Sequence, residues 1–128
     1  MLELIVRQPA SPAKRTPLLF IHGAWHGAWC WDEHFLTYFT EKGYATYAPS
    51  LRGHGKSPGK EKIRWHTAKD YVADIAETAA QLPQPPVIIG HSMGGYLVQK
   101  YLESVTLPAA ILLASVPPQG VIGTTLRI

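Results

Sequence analysis

The residues best placed to do chemistry in this chain are a serine set among glycines, Gly90-His91-Ser92-Met93-Gly94-Gly95. A hydroxyl becomes a useful nucleophile when the backbone holds it clear of its neighbours and aims donors at the charge it creates. The flanking residues favour both. Val87 to Ile89 is a short apolar run, and Leu97, Val98, Tyr101, Leu102 and Val105 recur beyond the serine at helical spacing. Strand, tight turn and helix in that order put Ser92 at the apex, with Gly90 and Gly94 where a very sharp turn admits almost no side chain. A helix that begins at the serine points its unpaired N–H groups and positive dipole end toward it. A dinucleotide site is excluded here, because Gly-x-Gly-x-x-Gly needs glycine where Ser92 stands.

A second suggestive stretch, His22-Gly23-Ala24-Trp25-His26-Gly27-Ala28-Trp29-Cys30-Trp31, follows the apolar run Leu18 to Ile21. A glycine-rich loop can bring backbone N–H groups close to a ligand, and indoles supply apolar walls. His22 and His26 have the spacing of a helical metal pair, but Gly23 and Gly27 argue against a helix and the zincin pattern wants Glu at position 23. No metal is expected, and these histidines read as loop organisers. Further on, Gly55-Lys56-Ser57 is reminiscent of a phosphate loop. That motif needs glycine at position 50, which is Ser50, and a following helix, which Pro58 and Gly59 interrupt. Nucleotide binding is therefore set aside.

At these residues the chain resembles the α/β-hydrolase family. The matching features are the Gly-x-Ser-x-Gly elbow, the His22-Gly23 pair after a strand, and the turn Arg52-Gly53-His54-Gly55-Lys56-Ser57, before which the family commonly has Asp where Ser50 stands. The resemblance implies a nucleophile at Ser92, one oxyanion donor from the Met93 N–H and a second from Ala24 or Trp25. Serine at the apex sets aside the branches that carry Asp there, such as epoxide hydrolases and haloalkane dehalogenases. The doubled His-Gly-Ala-Trp is similar to the loop of plant methylesterases and their hydroxynitrile-lyase relatives. Trp25, Trp29, His22 and Gly23 are the expected substrate contacts; for Trp31, and for any one of the indoles, core packing is an equal reading. The implied activity is metal-free and cofactor-free hydrolysis of a carboxylic ester, with a lyase or thioesterase on the same scaffold as the alternative.

The elements that must position these residues can be read in order. Leu2 to Arg7 is an opening strand, Gln8 to Pro17 a proline-rich loop, and Leu18 to Ile21 a strand buried on both faces. Asp32 to Lys42 is a helix with Asp32 as N-cap, Phe35, Leu36 and Phe39 inward, and Gly43 as its left-handed stop. Tyr44 to Ala48 is a strand. Thr67 to Leu82 is the strongest helix, opened by a Thr67–Asp70 capping box. Ala109 to Ala114 is one more buried strand. The alternation predicts an α/β fold with a doubly wound, mostly parallel sheet, and places His22-Gly23, Arg52-Gly53 and Ser92 together at strand C-terminal ends.

In the family the chain order is Ser, then Asp or Glu, then His. No histidine follows Ser92, and the only later carboxylate is Glu103. Residues 1–128 are therefore expected to be the N-terminal part of a single α/β-hydrolase domain, truncated after the strand that follows the nucleophile helix, with 116–128 starting a lid or connector. An inactive fragment, or a binding and assembly piece, is the reading from another class. For an earlier histidine to act as base, His22, His26 or His54 would have to reach Ser92 Oγ.

With 46% apolar and 16% charged residues in 128, the chain can bury one core. No run is long enough to span a membrane, the N-terminus does not read as a signal peptide, and a cytoplasmic location is expected. Cys30 is the only cysteine and reads as a small apolar filler. The net charge of +3 includes a local cluster, Lys56, Lys60, Lys62 and Arg64, read as a solvated loop and not as a nucleic-acid surface. The expected partner is a small-molecule ester, with neither nucleic acid nor membrane. A partial sheet ending in a central strand would leave an exposed apolar edge and invite self-association.

Overall fold

The computed structural model describes residues 1–14 and 16–121. Residues 122–128, most of the expected lid or connector, lie outside the described residues. The strands are β1 (Leu4–Arg7), β2 (Leu18–Ile21), β3 (Thr46–Pro49), β4 (Val87–His91) and β5 (Ala109–Leu113). The helices are α1 (Trp29–Asp32), α2 (Phe35–Glu41), α3 (Ala68–Ala80) and α4 (Met93–Tyr101), with a 3-10 helix at Lys60–Trp65.

The strands form one sheet in the order β1-β3-β2-β4-β5. β1 runs antiparallel to β3, and every other pairing is parallel. The chain steps from β2 to β3 on one side, then returns across β2 to lay down β4 on the other. That reversal is the switch point of a doubly wound sheet, where the loops leaving adjacent strands diverge and leave a crevice. β2 and β4 are the strands that meet there, with Ile21 opposite Gly90.

The four residues of β2 are all buried because successive side chains serve opposite faces. Leu18 and Phe20 pack with Trp31, Leu36, Ala48 and Ile89 under the short helices. Leu19 and Ile21 pack with Tyr71, Ile75, Ile88, Leu97 and Val98 under α3 and α4. A continuous apolar strand thus carries two cores, each fully buried aliphatic or aromatic side chain contributing about 1.5–3 kcal/mol.

Several boundaries differ from the sequence reading. The helix expected over Asp32 to Lys42 is two pieces, and Asp32 closes the first instead of capping the second. Its carboxylate is held by Arg7 at 2.7 Å, and His34 is the N-cap of α2, without a side-chain cap bond. Leu36 is wholly buried, but Phe35 stays 41% exposed, touching Trp31 and Phe20 only by ring edges. Gly43 stops the helix at φ 94° as expected. The Thr67–Asp70 capping box is present on both sides. β5 is not the buried strand expected: Ala109 to Leu112 are all exposed, because no described element covers its outer edge.

Candidate active site

Ser92 sits between β4 and α4 with φ 53° and ψ −118°. A β-carbon at such a positive φ costs about 1–3 kcal/mol and persists only where the surroundings over-determine it. They do so here. The Ser92 N–H donates to Leu113 O at 3.1 Å, and Ser92 O accepts from Gly95, Tyr96 and Val116. A β-carbon on Gly90 would stand 2.6 Å from Gly94 O, and one on Gly94 would meet Ile21 O and His22 O. Both glycines are therefore required by backbone packed against backbone, which lets α4 start immediately beneath the serine.

The loop after β2 runs alongside this apex. A β-carbon added to Gly23 would lie 3.2 Å from Ser92 Cβ. The N–H of Met93, first residue of α4, has no intrahelical partner, as expected for an opening turn. The Ala24 N–H likewise donates to no described residue, and both residues are half-buried. Ser92 Oγ also makes no hydrogen bond among the described residues. A hydroxyl carried on a strained backbone, with two unspent backbone donors nearby, suits attack on a carbonyl whose oxygen takes up negative charge.

The substrate contacts read from the sequence divide. Trp25 and Trp29 are exposed, at 86% and 49%, and Trp25 has a positive φ of 65°. Trp31 is core: 4% exposed, ringed by Phe20, Phe35 and His91, with its Nε1 lacking a partner among the described residues. His22 is the loop organiser that its setting among glycines suggests, and its reading as a substrate contact is corrected. Its ring is wholly buried, Nδ1 donating to Gly23 O at 2.7 Å and Nε2 accepting from Leu51 N at 3.0 Å. It ties the loop after β2 to the loop after β3, and has no nitrogen left for a ligand. Burial drives its pKa down to about 4, in keeping with a ring whose Nε2 must stay an acceptor.

No imidazole replaces a missing base among the described residues. His26 Nδ1 bonds Ala24 O, His54 Nδ1 bonds Arg52 O, and neither ring has a hydrogen bond to Ser92. Cys30, on α1, is half-buried against the core, and burial raises its thiol pKa.

The supports of the site were less legible. Ser50 Oγ accepts from Ala28 N at 2.9 Å and donates to Glu3 Oε2 at 2.6 Å. Glu3 also accepts from Lys56 N at 2.8 Å, and its own N–H donates to Ser57 Oγ. Burial would raise the Glu3 pKa, but the Lys56 and Ser50 bonds outweigh it and hold the carboxyl low. Asp74, 1% exposed on α3, clamps Arg52 through its backbone N–H at 2.8 Å and its guanidinium at 2.7 Å. A carboxylate between Tyr71 and Ile75, on the buried stripe of α3, was the available sign of that clamp; nothing in the sequence marked Glu3.

Comparison with known proteins bears on the family and the fold. The alpha/beta hydrolase family model matches residues 18–128. Non-heme chloroperoxidase of Streptomyces lividans is 35% identical over 112 residues, covering 84% of this chain and 40% of that protein. Norfluorocurarine synthase 2 of Strychnos sp is 30% identical over 115 residues, covering 87% and 42%. Among solved structures, the monoacylglycerol lipase of Paleococcus ferrophilus superposes with a TM-score of 0.77 over 90% of this chain and 43% of its own, at 21% identity, a likeness of fold. The chain spans about two fifths of the length of these curated relatives.

Proposed function

The chain belongs to the alpha/beta hydrolase family, and from that premise we propose that it is the nucleophile-bearing part of a serine hydrolase acting on carboxylic esters. The observation that carries this reading is Ser92 at φ 53°, with the N–H groups of Met93 and Ala24 unspent beside it. In the proposed step Ser92 Oγ bonds to the ester carbonyl carbon and the carbonyl pair moves to oxygen. Met93 and Ala24 N–H groups stabilise that oxyanion, each by about 3–4 kcal/mol in comparable sites. The hydroxyl proton passes to a base outside residues 1–128, as the family's Ser, acid, His order implies. A lyase or thioesterase on this scaffold is the chemical runner-up, since relatives with this core carry names as different as chloroperoxidase, synthase and lipase.

Exposure of the purified chain to a fluorophosphonate ester, followed by peptide mass spectrometry, tests the assignment. Slow modification confined to Ser92 and abolished by Ser92→Ala is expected, because oxyanion stabilisation survives loss of the base. A folded chain in which Ser92 reacts no faster than other serines overturns it. The second reading, an assembly piece, is favoured by the outer edge of β5, which no described strand pairs.

A further inference from the structure

Beside the elbow, the exposed indoles face a second loop across a cleft of about 340 Å³. Trp25, His26 and Trp29 form one wall, and His54, Lys60 and Ile63 the other. His26 links the cleft to the nucleophile: its ring lies 5.7 Å from that of Trp29 and 6.3 Å from that of His91, the residue before Ser92.

The charge that lines the cleft is one-sided: among the described residues no carboxylate does so. Lys60 is exposed, and Lys56, Lys60, Lys62 and Arg64 have no ion-pair partner among the described residues. Two acids lie nearby without lining it. Glu3 sits beneath Gly55, where it keeps its charge and turns Oε2 to the Ser50 hydroxyl and the Lys56 N–H, and Glu61 borders a different hollow with Met1, Leu2 and Arg52. Two indole surfaces and an unneutralised ammonium suit a flat apolar body carrying one anionic group, the first by area burial and the second by charge.

We propose that this cleft binds the part of the substrate distal to the scissile ester, and that this part is an aromatic or alkyl group bearing a carboxylate or phosphate. Its role as a substrate subsite rests on the ester-hydrolase reading, whereas the binding itself does not depend on catalysis.

The test is quenching of tryptophan fluorescence in the full chain by 2-naphthoate, 2-naphthyl phosphate and the neutral 2-naphthamide, at low and high salt. At least one anion is expected to bind about five-fold tighter than the amide at low salt, the gap closing at high salt. The stronger of the two anions identifies the charged group. Lys60→Gln, on an exposed 3-10 helix, is expected to remove most of the gap while leaving amide binding unchanged. Equal affinity for the amide and both anions, no binding of any, or a gap that survives Lys60→Gln overturns the proposal. Ser92→Ala is expected to leave all three affinities unchanged, so failure of the nucleophile assignment and failure of the cleft assignment are read separately.

Discussion

His22 Nε2 accepts the Leu51 N–H at 3.0 Å, so the loops that follow β2 and β3 are joined through a ring that must remain neutral. Its pKa is about 4 in the fold against 6.5 when exposed. As pH falls through that window, the unfolded chain takes up a proton that the folded chain refuses, so stability present above pH 6.5 is lost toward pH 4. The loss amounts to roughly 3 kcal/mol. His22→Gln keeps an acceptor for Leu51 but cannot titrate. Urea denaturation at intervals from pH 7 to pH 4 should show the wild-type slope and a flatter profile for the variant; equal slopes would remove His22 from this role. Glu3, held low in the fold, adds acid lability only at lower pH.

Ser50 and Glu3 together do what a single carboxylate at position 50 would do, bonding Ala28 N on one side and Lys56 N on the other. Ser50→Ala leaves the Ala28 N–H unpaired in a buried site and is expected to cost about 1–3 kcal/mol. Ser50→Asp alone sets two carboxylates side by side and should destabilise. Combined with Glu3→Gln it should regain most of that loss. A double-mutant cycle by denaturant melts measures the coupling, and additive effects would show that the two side chains act independently.

These supports also mark where the sequence could be read and where it could not. The elbow was legible because Gly90, Ser92 and Gly94 answer to local geometry, and the α3 start because Thr67 and Asp70 cap it within one turn. The buried β2 was legible because all four of its residues are apolar. What failed depended on distant partners. Asp32 reads as an N-cap until Arg7, 25 positions away in the chain, claims its carboxylate. His22 reads both as a loop organiser and as a ligand contact until Leu51 and Gly23 occupy both of its nitrogens and leave only the first. Glu3 gives no local sign because its partners lie around position 50, brought near by the β1–β3 pairing.

Gly94 and Gly43 separate two reasons for glycine. At Gly94 a β-carbon would stand 2.5 Å from His22 O and nearer still to Ile21 O, both main-chain atoms of a buried strand end. Gly94→Ala must push α4 away from β2 and is expected to cost about 3 kcal/mol or more, with Ser92 displaced from its donors. At Gly43 the nearest atom would be the Lys14 side chain at 3.3 Å, which can move, and the obstacle is φ 94°. Gly43→Ala should cost only about 1–2 kcal/mol. Thermal melts of both variants decide the order, and equal losses would mean that the elbow tolerates a side chain.

Among the described residues nothing pairs with the outer edge of β5, which offers the N–H and C=O groups of a parallel strand, with apolar side chains exposed on both of its faces. Ile111 is 47% exposed and Leu112, on the opposite face, 42%. A second copy of the chain could satisfy both needs at once, its own β5 continuing the sheet about a two-fold axis. Light scattering on the purified chain is expected to show a concentration-dependent dimer. Ile111→Lys places a charge on the edge without touching the elbow, and is expected to shift the species to monomer while Ser92 stays as reactive toward the fluorophosphonate as before. A chain that is monomeric at tens of micromolar, or a dimer indifferent to Ile111→Lys, would leave the edge without this role. Loss of Ser92 reactivity on dissociation would instead mean that pairing at β5 holds the Leu113 carbonyl that anchors the Ser92 N–H.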